Sequence, residues 1–115
     1  MGTAVCTKLK DMYFGRVASE RKKEIFRSLR SGRPMPMLYL ITFCENGSDQ
    51  LEILPSYVLL QETVRRRLPL IAGAALGKNE AVEVVAQIAS DARRKTGGCR
   101  LQEFLLQQSE AEELR

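Results

Sequence analysis

The sequence predicts an α+β protein in which a small antiparallel sheet of about three strands packs on one long amphipathic helix, with a basic N-terminal helix and a short C-terminal helix. Two segments carry this prediction. Residues 37–44 are rich in strand-forming side chains, and residues 79–96 repeat apolar side chains at helical spacing. The length of 115 residues has room for one compact domain. We therefore predict a basic extension over residues 1–35 and a single α+β domain over residues 36–115.

The first predicted strands form a hairpin. Residues 37–44, MLYLITFC, are mostly apolar on both faces of the strand. Asn46 and Gly47 follow as a turn signal, because both residue types tolerate positive φ. Residues 50–54 then alternate polar and apolar side chains, which predicts a half-exposed antiparallel strand. Pro55 ends this ladder or lies on a sheet edge, since proline has no N–H to donate.

The segment 56–67, SYVLLQETVRRR, fits two structures. Ser56 can cap a helix, or residues 57–60 can continue as an edge strand that runs into a loop. We favour the strand followed by a loop, which puts the arginines at 65–67 on an exposed connection. Residues 68–76, LPLIAGAAL, form a short apolar run of small residues and predict an inner strand against which a helix packs closely.

The long amphipathic helix is predicted from Asn79, as N-cap, to the turn before Gly97. A helical wheel places one arc of apolar residues, Val82 among them, toward the sheet and puts Glu80 and Glu83 on the solvent face. After Gly97 and Gly98, apolar residues at helical spacing predict a short terminal helix that frays after Gln108.

Charge divides the chain near residue 35. Residues 1–35 hold nine Lys/Arg and three Asp/Glu, whereas residues 36–115 hold nine and eleven. Within the basic part, Ser19 to Gly32 predicts a weakly docked helix, and residues 31–36, SGRPMP, predict a linker. Met35 and Met37 precede the first strongly apolar run, so a chain that starts at one of them is an alternative.

Several classes of chemistry are excluded by residue type. Histidine is absent and Cys6, Cys44 and Cys99 are widely separated, which argues against His/Cys metal clusters and Cys-His nucleophile pairs. The segment before Asn79 fails the phosphate-loop spacing, and the carboxylate pairs Glu80/Glu83 and Glu45/Asp49 are expected in solvent. We therefore expect no enzymatic activity, no cofactor, no metal ion and no small-molecule ligand.

The location expected from the sequence is the cytoplasm. No apolar run reaches the ~18 residues that a membrane-spanning helix needs, and the N-terminal residues lack the pattern of a signal peptide. An odd number of scattered cysteines also suits a reducing compartment.

The basic residues are the candidate nucleic-acid contacts, because clustered Lys and Arg neutralise phosphates and release counterions. The candidates are Arg21, Lys22, Lys23, Arg27, Arg30, Arg65, Arg66, Arg67 and Lys78. The predicted order of helix, three strands and helix, with GSDQ at 47–50 and KNEA at 78–81, resembles a double-stranded-RNA-binding domain over roughly residues 19–95. This resemblance implies RNA binding, although the histidine and the lysine-rich helix entry typical of that family are missing here.

The leading functional hypothesis is a non-enzymatic interaction or accessory module that self-associates. The predicted sheet offers more apolar surface than one helix covers, so a terminal helix or a second copy of the chain must cover the rest. The alternative hypothesis is an accessory protein that binds RNA or DNA through backbone contacts.

Overall fold

The computed structural model of the protein describes residues 6–44, 49–98 and 100–114. In chain order the elements are β1 (Cys6–Phe14), α1 (Lys22–Ser31), β2 (Leu38–Phe43), β3 (Leu51–Pro55), α2 (Glu62–Arg67), β4 (Ile71–Leu76), α3 (Lys78–Thr96), α4 (Leu101–Gln108) and β5 (Ala111–Leu114). Two 3-10 helices, Ala18–Arg21 and Ser56–Leu60, precede α1 and α2.

The sheet is mixed and, within the described ranges, has five strands in the order β3-β2-β4-β1-β5. β1 runs parallel to β4, and the other neighbours are antiparallel. The α+β class is therefore confirmed, but the predicted antiparallel sheet of about three strands is wrong. β1 was not predicted because charged residues interrupt its apolar pattern; in the structure its register against β4 shifts between Lys8 and Tyr13.

Helices cover both faces of this sheet. On one face Ile25 and Leu29 of α1 pack with Leu59 and Leu68 against the strands. On the other face, α3 and α4 pack against Leu9 and Ile41. α1 thus covers the sheet face for which the sequence analysis required a terminal helix or a second copy. Surplus apolar surface on that face no longer supports self-association.

The predicted hairpin is confirmed as the antiparallel pair β2 and β3, with Leu40 opposite Leu54. Its turn, which includes Asn46 and Gly47, lies outside the described residues. The inner strand predicted over residues 68–76 is observed as β4, which pairs with β2 on one side and β1 on the other.

The strand and loop favoured for residues 56–67 are wrong, because the structure has a 3-10 helix followed by α2. Ser56 Oγ accepts a hydrogen bond from Met35 N at 3.1 Å and lies 2.9 Å from Met35 O, to which it donates. These contacts and the burial of Leu59 anchor the segment on the sheet face. Long-range contacts of this kind leave no periodic signal in the sequence.

α3 is the predicted amphipathic helix with two corrections. Gly77, at φ 96°, occupies the N-cap position, and Asn79 lies inside the first turn. Val82 is 53% exposed, whereas Glu80, which was expected in solvent, is only 9% exposed. Gly97 adopts the left-handed conformation that ends the helix, as its position predicted.

The C-terminal segment does not fray after α4. Its last described residues form β5, which pairs antiparallel with β1 from Cys6 opposite Leu114 to Leu9 opposite Ala111. In the part of the chain that the structure describes, no helix is both long and apolar enough to cross a bilayer.

The resemblance to a double-stranded-RNA-binding domain is limited to element order. The sequence of helix, three strands and helix is present from α1 to α3. The sheet, however, also contains β1 and β5, and the short helix α2 separates β3 from β4. Because unrelated functions share similar topologies, this order alone does not carry function.

Candidate nucleic-acid interface

The solvent side of α1 is basic. Ile25 and Leu29 are buried against the sheet, which turns the opposite side of the helix outward. At ~100° per residue, four exposed cations span an arc of about 140°; three of them lie opposite the buried side, and the first, Lys22, lies beside it next to Leu29. The four cations are Lys22, Lys23, Arg27 and Arg30, all of them exposed. Docking of a narrow apolar stripe therefore orients three of the nine predicted cations, Lys23, Arg27 and Arg30, in one direction.

An aromatic pair lies beneath this basic surface. The rings of Phe14 on β1 and Phe26 on α1 meet edge to face, with centroids 5.8 Å apart. Lys22 Nζ lies 4.8 Å from the centre of the Phe14 ring, and Arg30 Cζ lies 5.9 Å from the centre of Phe26. The rings therefore help to position these cations, and half-buried Phe26 lines a shallow surface depression together with Lys23, Arg27 and Arg30.

Arg21 and Glu24 form an ion pair at the beginning of α1. The hydrogen bond from the Arg21 guanidinium lowers the pKa of the Glu24 carboxyl, with a further contribution from the charge of Arg27. Both side chains are substantially exposed, so the pair adds little to stability. Glu24 offsets much of the charge of Arg21, which makes Arg21 a weaker phosphate contact than its neighbours on α1.

The three arginines at 65–67 lie on α2, and each has different surroundings. Arg66 pairs with Glu62 at 2.8 Å on the surface, whereas Arg67 lines a groove beside β3. Arg65 extends to the end of α1, where its Nη1 lies 1.6 Å from the position that a Cβ on Gly32 would occupy. Arg65 is thus packed against the C-terminus of α1, where a cation is favoured by the helix dipole.

Lys78 lies apart from the other candidates. It is the first residue of α3 and is exposed, but α3 packs on the sheet face opposite α1. The structure therefore brings together the candidates on α1, places Arg65 behind them, and separates Lys78 from the group.

Glu80 is the functional side chain that the sequence analysis assigned to the wrong environment. Its carboxylate accepts hydrogen bonds from Val17 N and Leu76 N, each at 2.6 Å, and a longer one from Ala18 N at 3.4 Å. Gly15 passes so close that a Cβ there would lie 2.3 Å from the Glu80 side chain. Glu80 thereby joins the start of α3 to the connection that leads into α1.

Lys8 is a second residue that the sequence analysis did not consider. Its side chain is buried, and its ammonium pairs with Glu112 of β5 at 2.7 Å and donates to Leu9 O at 3.1 Å. The same ammonium lies 5.4 Å from the centre of the Phe26 ring. The hydrogen bond from Lys8 lowers the pKa of the Glu112 carboxyl. A lysine within an alternating strand pattern gives no local signal of this burial.

The carboxylate pairs considered for acid–base chemistry are arranged differently from one another. Glu83 is exposed while Glu80 turns inward, so the two carboxylates of that pair point to different environments. Asp49 Oδ1 accepts a hydrogen bond from Gln102 N at 3.2 Å, in the first turn of α4. Its proposed partner Glu45 lies outside the described residues.

The basic surface contrasts with the helices on the other sheet face. Residues 19–33 contain six basic and two acidic residues, whereas α3 contains four and three, and α4 contains one acidic residue and no basic one. The difference creates a positive field on the α1 side, and such a field attracts polyanions. Comparison of the chain with protein-family models, curated proteins and solved structures found no match.

Proposed function

We propose that this protein is a non-enzymatic, cytoplasmic accessory module that binds the phosphate backbone of double-stranded nucleic acid through the exposed side of α1. The observation that carries the proposal is the grouping of Lys23, Arg27 and Arg30 on the outward side of α1, with exposed Lys22 at the border of the docked side. We infer backbone contact because all four side chains are exposed and cationic, and such groups neutralise phosphates.

The length of α1 matches more than one phosphate. Lys22 and Arg30 are eight positions apart, which corresponds to about 12 Å along the helix axis. A duplex carries one charge per ~1.7 Å of its axis, so a basic surface of this length faces several phosphates. Lys22 and Arg30 lie over the rings of Phe14 and Phe26, and these contacts compete with the base stacking that single-strand binders use. Sequence-tolerant binding to a duplex is therefore the mode that this surface favours.

The strength of the salt dependence follows from the number of cations. If all four neutralise phosphates, the logarithm of the association constant falls with the logarithm of salt concentration at a slope of about −3.6. Raising salt from about 50 mM to about 200 mM then weakens binding by roughly 150-fold. Fluorescence anisotropy with labelled duplex RNA and duplex DNA measures this slope directly.

The decisive comparison uses two variants with the same change in charge. One replaces Lys22, Lys23, Arg27 and Arg30 by glutamine, and the other replaces the four cations of α3, Lys78, Arg93, Arg94 and Lys95, by glutamine. We expect the α1 variant to lose nearly all binding and the α3 variant to keep most of it.

Three results would overturn the proposal. They are no binding of wild-type protein to either duplex at low salt, equal losses in both variants, and binding to vesicles of anionic lipid without binding to a duplex. A preference between the RNA and DNA duplexes identifies the form of nucleic acid.

A further inference from the structure

β3 is an outer strand of the sheet, and its hydrogen-bonding pattern shows which of its backbone groups point away from β2. Cys44 N donates to Gln50 O, so this pair belongs to the set in which the two strands bond to each other. Phe43 N donates instead to Leu70 O, on the β4 side. By alternation, the β3 residues whose N–H and C=O groups face outward are Leu51, Ile53 and Pro55.

The two outer strands differ in their side chains. β5 is short and carries the exposed acids Glu112 and Glu113 beside one buried apolar residue, Leu114, so it offers little apolar surface to a second strand. β3 carries one exposed acid, Glu52, between half-buried apolar residues. An apolar outer strand is a template for pairing with another strand. β3 is therefore the edge suited to association.

We propose that two copies of the chain associate by antiparallel pairing of their β3 strands about a two-fold axis at Ile53. In this register Ile53 exchanges both backbone hydrogen bonds with the partner's Ile53, and Leu51 N donates to O of the partner's Pro55. Pro55 accepts but cannot donate, so Leu51 O receives no hydrogen bond from the partner's Pro55 and each copy donates two bonds across the pair. Both outward N–H groups of β3 find acceptors.

Repulsion between glutamates favours the register with its axis at Ile53 over the adjacent register with its axis at Glu52. Moving the two-fold axis to Glu52 would place that carboxylate directly opposite the partner's Glu52, which destabilises the pair. With the axis at Ile53, Glu52 lies opposite the partner's Leu54, and Leu54 lies opposite the partner's Glu52. The pairing is isologous and closed, so it stops at a dimer.

A groove beside β3 complements the second copy. It has a volume of about 270 Å³ and lies between β3, the Ser56–Leu60 helix and α2, with apolar walls from Leu54, Val58, Val64 and Leu68 and polar side chains from Glu52 and Arg67. Residues opposite each other in an antiparallel pair project to the same face. The partner's Leu54 and the partner's Glu52 therefore project on the side of this groove, where the partner's Leu54 meets its apolar walls.

The pairing is tested by mass and by site-specific cross-linking. Sedimentation equilibrium of the full chain is expected to show a dimer at micromolar concentration. Cα atoms of a hydrogen-bonded antiparallel pair are ~5.5 Å apart, which suits a disulfide. Under mild oxidation Ile53→Cys should give a covalent dimer, whereas Val82→Cys, an exposed position on α3, should give no more than wild type. Both variants keep the native cysteines, so these provide the same background.

The substitution Ile53→Pro tests the same pairing by removing a hydrogen bond that the dimer needs. It removes only an outward N–H, so the bonds between β3 and β2 remain and the dimer should dissociate into folded monomers with an unchanged circular dichroism spectrum. A monomeric wild type, or cross-linking at position 82 equal to that at position 53, would overturn the proposal. Neither readout involves nucleic acid, so this inference and the proposed function fail independently.

Discussion

Replacing Glu80 by glutamine keeps the size of the side chain but removes the charge that three backbone N–H groups share. The wild-type carboxylate is 9% exposed and accepts from Val17 N and Leu76 N at 2.6 Å. A glutamine has one oxygen, so it can satisfy one of these donors, and its NH2 group faces the other. We therefore expect Glu80→Gln to disrupt the connection between the β4–α3 junction and the entry to α1.

The expected loss follows from the hydrogen bonds involved. A hydrogen bond to a charged group contributes about 1.5–3 kcal/mol, and a buried donor left without an acceptor costs about 1–3 kcal/mol. Because one bond survives in weaker form, we expect Glu80→Gln to lower the free energy of unfolding by about 2–3 kcal/mol. Glu83→Gln, on the exposed side of the same helix turn, is the matched control and should change it by less than about 0.5 kcal/mol.

Urea unfolding followed by circular dichroism measures both variants. The midpoint of Glu80→Gln should fall while the dependence on urea concentration stays unchanged, since the fold and the exposed area are the same. A Glu80→Gln variant as stable as Glu83→Gln would refute the inference that the buried carboxylate stabilises this junction. A changed slope would instead show that the glutamine alters the folded or the unfolded state, and would contradict a purely local effect.

Two further predictions rest on contacts seen in the structure. Gly32 and Gly97 share nearly the same positive φ, 73° and 74°, but a Cβ would collide with Arg65 at Gly32 and would meet no atom within 4 Å at Gly97. Gly32→Ala should therefore lower the thermal unfolding midpoint more than Gly97→Ala. Equal shifts of the midpoint would contradict this role of Arg65. Tyr13 Oη donates to Asp91 Oδ2 at 2.7 Å, which lowers the pKa of the Asp91 carboxyl. This hydrogen bond stabilises the fold above the ordinary pKa of aspartate, and the stabilisation disappears as pH falls through the lowered pKa. The difference in free energy of unfolding between wild type and Tyr13→Phe, measured in urea, should therefore shrink in acid. A difference that does not change with pH would contradict this role of Asp91.

Elements with a regular local pattern were predicted from sequence. The hairpin of β2 and β3 was recognised from alternation and from its turn signal, and α3 from its apolar arc and Gly97. In each case the residues that form the element also determine its pattern, because side-chain periodicity follows directly from strand or helix geometry. The same reasoning located β4 as an inner strand.

The candidate interface was predicted in part. The cations of α1 were identified by composition, but their common direction depends on the burial of Ile25 and Leu29 against a sheet face that the sequence did not define. Arg65 and Lys78 have the same charge as these residues and were grouped with them. Only the packing of α2 and α3 shows that they lie elsewhere.

Local propensity was sufficient for the α+β class, the hairpin, the long helix and the uneven distribution of charge, since each is a property of neighbouring residues. Strand order, the place of β1 beside β4, and the burial of Lys8 and Glu80 depend on tertiary contacts, such as those with Glu112 and Val17, that are far away in the chain. Lys8 is buried because Glu112 pairs with it, and Glu80 is buried because Val17 and Leu76 present N–H groups to it. A charged side chain enters a protein interior only where such partners offset the loss of water, and those partners come together only in the folded chain.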